Sequence, residues 1–260
     1  MRATLMLGAA VLCAAAMIGL GYVHPFGDPR SNVTGVEDAN NLLKDAQMPS
    51  QAKTVLITKC ADCHSEATKW PRYARIAPGS WLIERDIMEG RQHMNLSKWA
   101  GLTPDQRQVI ESKIIQETRN GDMPPLQYRL LHWNAKLTSK DLQALSTLNK
   151  EGAPAETAAA GVGDAIHGKL VFDKRCTGCH TIDTNREGPR LRGVFGRKAG
   201  DVSDFTYSTA LKASGITWND DSLDKWLSDT DAMIPDNKMG FRVVKAAERA
   251  DLIAYLKQTK

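Results

Sequence analysis

"CADCHSEATKW", residues 60–70, and "CTGCHTIDTNREGP", residues 176–189, both open on Cys-x-x-Cys-His. Beyond that pentapeptide the two stretches share little, so a recent tandem duplication does not account for them. Two thiols on one tight helical turn, followed at once by an imidazole, form the attachment signature of a c-type haem. The thiols add across the two vinyl groups, and the turn sets their separation. The next residue then projects a neutral imidazole, a good iron ligand, from the same side. A structural zinc site would place its cysteine pairs about 15–20 residues apart and has no use for a histidine at a fixed offset. Two covalently attached haems c are therefore expected, on Cys60 and Cys63 with His64, and on Cys176 and Cys179 with His180.

The remaining cysteine, Cys13, lies in an apolar N-terminal stretch, so no disulfide framework is expected. At 260 residues the chain has room for two modest domains. Residues 32–150 carry 16 basic and 13 acidic side chains, and residues 164–260 carry 16 and 14. That balance lacks the basic stripe of a nucleic-acid binder. No glycine-rich phosphate loop of the Walker or Rossmann kind is present.

From Ala3 to Val23 the chain carries no charge. About 20 apolar residues suffice to cross a bilayer as a helix, whereas a signal h-region is about 7–15 long. Residues 1–31 are accordingly expected to lie outside any fold, as a retained anchor. The alternative is cleavage at the A-x-A-like site formed by Ala14 and Ala16. Either reading exports the rest, to the periplasmic side of the inner membrane if anchored or to the soluble periplasm if cleaved. Residues 151–163, "EGAPAETAAAGVG", read as a linker between a haem-binding domain at 32–150 and a second domain at 164–260.

Both halves read as mostly α. Thr103 with Pro104 and Gln106 predicts a capping box at the head of a helix carrying Val109, Ile110 and Ile114. Thr138 and Asp141 predict another, with Leu142, Leu145 and Leu148 as its stripe. Asp164 is expected to cap a helix through Arg175, and "AAERADLIAYLKQ" a final helix with Ile253 and Leu256 on one face.

Each iron needs a sixth ligand. Met239 in "IPDNKMGF" sits in a proline-bearing loop rather than on a helical stripe, and is preferred to Met233 for the second haem. Thioether ligation favours ferrous iron and raises the potential. For the first haem, Met123 in "RNGDMPPLQY" is preferred, with His93 and His132 as competitors that would give a lower potential; Met88 in "IMEG", which looks helical, and Met94 are further competitors.

The second half resembles class I cytochromes c of the mitochondrial and bacterial c2 type. The resemblance rests on "GKLVFDKRCTGCH", "GPRLRGVFGRKAG", "FTYSTALKASGITW", "IPDNKMGF" and "ERADLIAYLK". It implies that Gly168 and Phe172 pack against Leu252 and Tyr255, and that the Pro189 carbonyl accepts from His180. It also implies Arg197, Tyr207 and Trp218 near a buried propionate and Phe241 over the haem edge. Asp236 and Asn237 depart from the family's Gly-Thr, and Trp226 stands where a tyrosine is common. The first half is similar to a family of small bacterial haem-binding domains, through residues 60–99 and "GDMPPLQYRLLHWNAKLT". Trp70, Trp81 and Trp99 there are either haem-packing or core residues.

Together these features imply two small helical c-type haem domains behind an N-terminal hydrophobic helix. The expected function is single-electron transport between redox partner proteins that dock transiently, without enzymatic chemistry. Alternatives are a peroxidase-like dihaem oxidoreductase with one open iron, a ligand-exchange sensor, or the cytochrome subunit of a dehydrogenase. The basic run Arg186, Arg190, Arg192, Arg197 and Lys198 suggests a rim for acidic partners.

Overall fold

A computed structural model describes residues 2–31, 41–150, 156 and 162–260. The described residues form helices joined by loops, with only an isolated bridge between Lys198 and Thr217. In chain order the helices are α1 (Arg2–Leu20), α2 (Ser50–Val55), α3 (Ala61–His64), α4 (Gly79–His93), α5 (Pro104–Asn120) and α6 (Leu126–Leu131). Then follow α7 (Ser139–Leu145), α8 (Ala165–Arg175), α9 (Thr209–Ala213), α10 (Asp220–Ser228), α11 (Thr230–Met233) and α12 (Ala246–Gln258). They group into two compact units: residues 1–47 with 53–101, and residues 48–52 with 102–260. Most of the linker expected at 151–163 lies outside the described residues; packing places 102–150 with the second half of the chain.

In the first unit a π-helical turn, Leu56–Cys60, runs directly into α3, so the first Cys-x-x-Cys-His rides on a continuous helical path. α4 packs beside α3 and places Glu84 in the interior, 0% exposed. A buried carboxylate must be paired and hydrogen-bonded. Arg30 Nη1 donates to Glu84 Oε1 at 2.7 Å, and His24 Nδ1 lies 3.0 Å from Oε2. The Arg30 guanidinium also donates to the Ala74 carbonyl and sits over the Trp70 ring. Trp81 Nε1 donates to the Val23 carbonyl at 2.8 Å. Residues 21–31 therefore belong to this unit, which corrects the expectation that the first thirty residues stay outside a fold: the buried Glu84 recruits its counter-charge from them. Trp99 is a core aromatic, whereas Trp70 and Trp81 dock this leading segment. α1 exposes Leu7, Val11 and Leu12. Among the described residues no helix is long and apolar enough to cross a membrane.

In the second unit the caps form as their sequences dictate. Thr103–Gln106 and Thr138–Asp141 close capping boxes, and the Asp164 carboxylate accepts from the Ile166 and His167 amides. α8 crosses α12 at Gly168, where any Cβ would overlap the Asp251 carbonyl; the missing side chain is what lets the two backbones meet. Phe172 and Tyr255 pack at 5.4 Å between ring centroids. Around this crossing a buried cluster includes Trp218, Trp226, Phe241, Leu252 and Leu256. Each such side chain contributes about 1.5–3 kcal/mol by burial. Arg249, fully buried at the head of α12, donates to Asp224 and to the carbonyls of Val243, Val244 and Glu156, which ties Glu156 of the linker into the core.

Candidate haem-binding site

The second motif begins where α8 ends. Cys176 is the C-cap residue and lines a cavity, and the turn that follows, through Cys179, carries His180 into the same cavity. His180 Nδ1 donates to the Pro189 carbonyl at 2.8 Å, which orients the ring and leaves Nε2 facing the cavity as an acceptor. A Cβ on Gly188 would overlap the imidazole, so the loop can close over the ring only because that position is glycine. Burial holds His180 below the usual histidine pKa, against the carbonyl bond that raises it; the ring is neutral, as an iron ligand must be. Burial likewise pushes Cys176 up to about 12 and Cys179 to about 11. These are protonated thiols, and thioether formation would remove the ionisable proton.

Met239 lines the same cavity, and Trp226 Nε1 lies 3.2 Å from its sulfur. Arg197, Tyr207 and Trp218 line it too. Burial lowers the Arg197 pKa and raises that of Tyr207. Arg197 also donates to the carbonyls of Arg190 and Arg192. Phe241 packs in the core cluster and is not among the residues lining the cavity. One cavity thus brings together a thiol, an imidazole, a thioether and polar donors for propionates. The residues fit a haem.

The Met239 loop holds its shape despite its departures. Asp236 takes a left-handed φ of 62°, a conformation in which aspartate is among the better-tolerated residues after glycine. Asn237, 1% exposed, accepts from the Met239 amide at 2.8 Å and the Gly240 amide at 3.3 Å.

α5 lies on this face of the domain. Val109 approaches Gly178, between the two cysteines, and Gln116 and Asn120 reach the cavity lining. Gln116 Nε2 donates to the Glu187 carbonyl and Gln108 Nε2 to that of Arg242, both at 2.6 Å. Asp105 pairs with Lys174 and, at 2.6 Å, with Arg175. None of these contacts was expected from the sequence.

The first motif is built similarly. His64 Nδ1 lies 2.8 Å from the Gly90 carbonyl and 3.2 Å from that of Met94, both at the end of α4. Burial lowers its pKa, and burial raises Cys60 and Cys63 to about 12. The Met94 carbonyl thus lies on the Nδ1 side of the imidazole. Met88 is half-buried and faces Gly27, where its methyl would lie 3.5 Å from an added Cβ. Met123, 39% exposed, follows α5 in the second unit, and His132 stacks on Tyr128 in the same unit.

A haem-binding domain family matches residues 15–151, more than half the chain, and the cytochrome c family matches residues 165–260. The chain belongs to the c-type cytochromes. Its C-terminal part is 45% identical over 101 residues to cytochrome c of Gibberella zeae, covering 37% of this chain and 95% of that protein. It is 44% identical over 108 residues to cytochrome c2 of Blastochloris viridis, covering 40% and 84%. A solved structure, cytochrome cH from Methylobacterium extorquens, matches with 41% identity over 36% of this chain and 98% of its own, with a TM-score of 0.35. This cytochrome therefore has the haem c chemistry of an electron carrier in its C-terminal domain.

The basic run of this cytochrome is partly paired within the domain. Arg190 pairs with Asp204 and Arg192 with Asp183, each at 2.5 Å, and Arg186 lies 3.6 Å from Glu187. Three of the five residues of the run thus have an acidic neighbour.

Proposed function

We propose that this cytochrome is an exported, membrane-tethered dihaem protein that passes single electrons between transiently docked redox proteins. The observation that carries the reading is the duplicated arrangement of paired protonated thiols beside an imidazole held by a main-chain carbonyl, once in each compact unit. When bound, each haem c supplies an iron that gains and loses one electron. The protein's own part is to fix His64 and His180 in one tautomer, to present Met239, and to keep water from the second cavity. The likeness of the C-terminal part to cytochromes c supports a carrier over the peroxidase-like alternative. The exposed apolar side chains of α1 favour a bilayer anchor over a free helix. For the first iron the sixth ligand stays with Met123, His93 and His132.

The deciding experiment is haem stoichiometry on protein matured in a haem-attaching host. Two covalent haems per chain after denaturation, and one in the Cys60→Ala/Cys63→Ala variant, support the reading; a chain carrying zinc and no haem defeats it. A mature N-terminus after residue 16 would defeat the anchor. A high-spin resting iron with rapid peroxide turnover would shift the assignment to the enzyme. Reduction of an external acceptor should slow steeply with added salt, since exposed charges are screened within about 8 Å at physiological ionic strength.

A further inference from the structure

We propose that Arg119, outside the cytochrome c domain, is a positioning residue for Met239: it latches the loop that carries the sixth ligand of the second iron. The inference rests on Met239 being that ligand.

Arg119 lies in the last turn of α5. Its Nη1 and Nη2 donate to Asp231 Oδ1 and Oδ2, both at 2.9 Å, a two-pronged charge-assisted pair. Nη1 also reaches the Asn237 carbonyl at 3.1 Å. Asp231 Oδ1 in turn accepts from Asn237 Nδ2 at 2.9 Å, and Asn237 Oδ1 accepts from the Met239 amide at 2.8 Å. Three hydrogen-bonded steps therefore lead from the guanidinium to the ligand's own backbone. One turn earlier Ile115 presses on the loop so closely that a Cβ on Gly240 would lie 2.6 Å from its Cγ2. Asn149 donates to the Gly240 carbonyl from the turn after α7.

The loop needs this support. Residues 234–241 lie in no helix, and Asp236 sits in the left-handed region. Both carboxylate oxygens of Asp231 are engaged by Arg119, and the pair is mostly shielded, with the two side chains 22% and 15% exposed. Removing the guanidinium leaves Asp231 under-compensated and Asn237 without its anchored partner, so the loop can lift Met239 away more readily.

The test is an imidazole titration of the oxidised full-length holoprotein. It follows the share of the sulfur-to-iron charge-transfer band that Met239→Ala abolishes. Arg119→Gln should bind imidazole at the second iron about tenfold more tightly, since hydrogen bonds to charged groups are worth that much or more. Arg119→Lys should fall between, because an ammonium keeps the charge and loses the fork. Asp105→Asn, which loosens the opposite end of α5, should leave the affinity unchanged. Wild-type affinity in Arg119→Gln would overturn the proposal. So would an equal rise in Asp105→Asn, which would assign the effect to docking of the whole helix. Should Arg119→Gln fail to fold, Arg119→Lys decides in the same way. If Met239→Ala leaves the band intact, the ligand itself is misassigned, a failure that the Arg119 variants would not produce.

Discussion

On the proposed dihaem reading, His64 and His180 have the same task and solve it at different distances along the chain. Each imidazole needs a carbonyl at Nδ1 so that Nε2 is free for iron. His180 takes its carbonyl from Pro189, nine residues on, in the loop that also carries Gly188. His64 takes its carbonyl from Gly90, twenty-six residues on, at the end of a separate helix. The second arrangement is nearly local and survives as a recognisable sequence block. The first depends on α4 packing beside α3, and so on Glu84, Arg30 and His24, which fix α4 from its buried side.

The comparison breaks most visibly at the thiols. Cys176→Ala with Cys179→Ala should leave one covalent haem, as should the Cys60/Cys63 pair, read by absorbance of denatured protein; unequal counts would end the symmetry. Next comes the support of each unit. Arg30→Ala strands a buried carboxylate and should destabilise the first unit by about 3 kcal/mol in denaturant unfolding, with the Met239 band unaltered. The glycines behind the two imidazoles should differ. Gly188→Ala overlaps the His180 ring and should abolish its ligation, whereas at Gly90 a Cβ would sit 3.4 Å from His64 Cε1 and 3.0 Å from the Cys63 carbonyl, a fit that a slight shift accommodates. Low-spin signals of the two haems would separate these outcomes. Trp226→Phe removes a hydrogen bond that draws electron density from the Met239 sulfur. It should lower the second potential by tens of mV, on the order of one hydrogen bond, and leave the first alone. The smallest effect is expected from Asp105. Burial raises its carboxyl, but the Lys174 hydrogen bond and the Arg175 charge outweigh that and hold it below 3.8. Its contribution is therefore complete above about pH 3.8 and fades as pH falls through the lower folded value. Asp105→Asn should cost less than about 1 kcal/mol at neutral pH.

Much of the second domain was legible because its determinants are short-range or sit in recognisable sequence blocks. The Asp164 cap, the α8–α12 crossing at Gly168 and the Pro189 carbonyl all follow from residues close in sequence or from family blocks. The packing of α5 was not. Asp105 in the first turn and Arg119 in the last both satisfy the helix dipole, so neither announces a partner 70 or 112 residues away. Glu84 reads as one polar position in an amphipathic helix, and Arg30 as the flank of an apolar leader; only burial shows that they are a pair. Asn237, a departure from the family pattern in the sequence, proves to be the residue that holds the Met239 loop through side-chain bonds.

The placement of α5 also bears on how the molecule can be dissected. Composition invites a cut at 151–163, yet a fragment beginning there would lose Ile115, Arg119 and Asn149 from against Gly240 and Asp231, and Val109 from against Gly178. Its haem face would be newly wet, its ligand loop less tightly held, and its measured potential that of a different environment. A fragment beginning at Leu102 would carry its own cover.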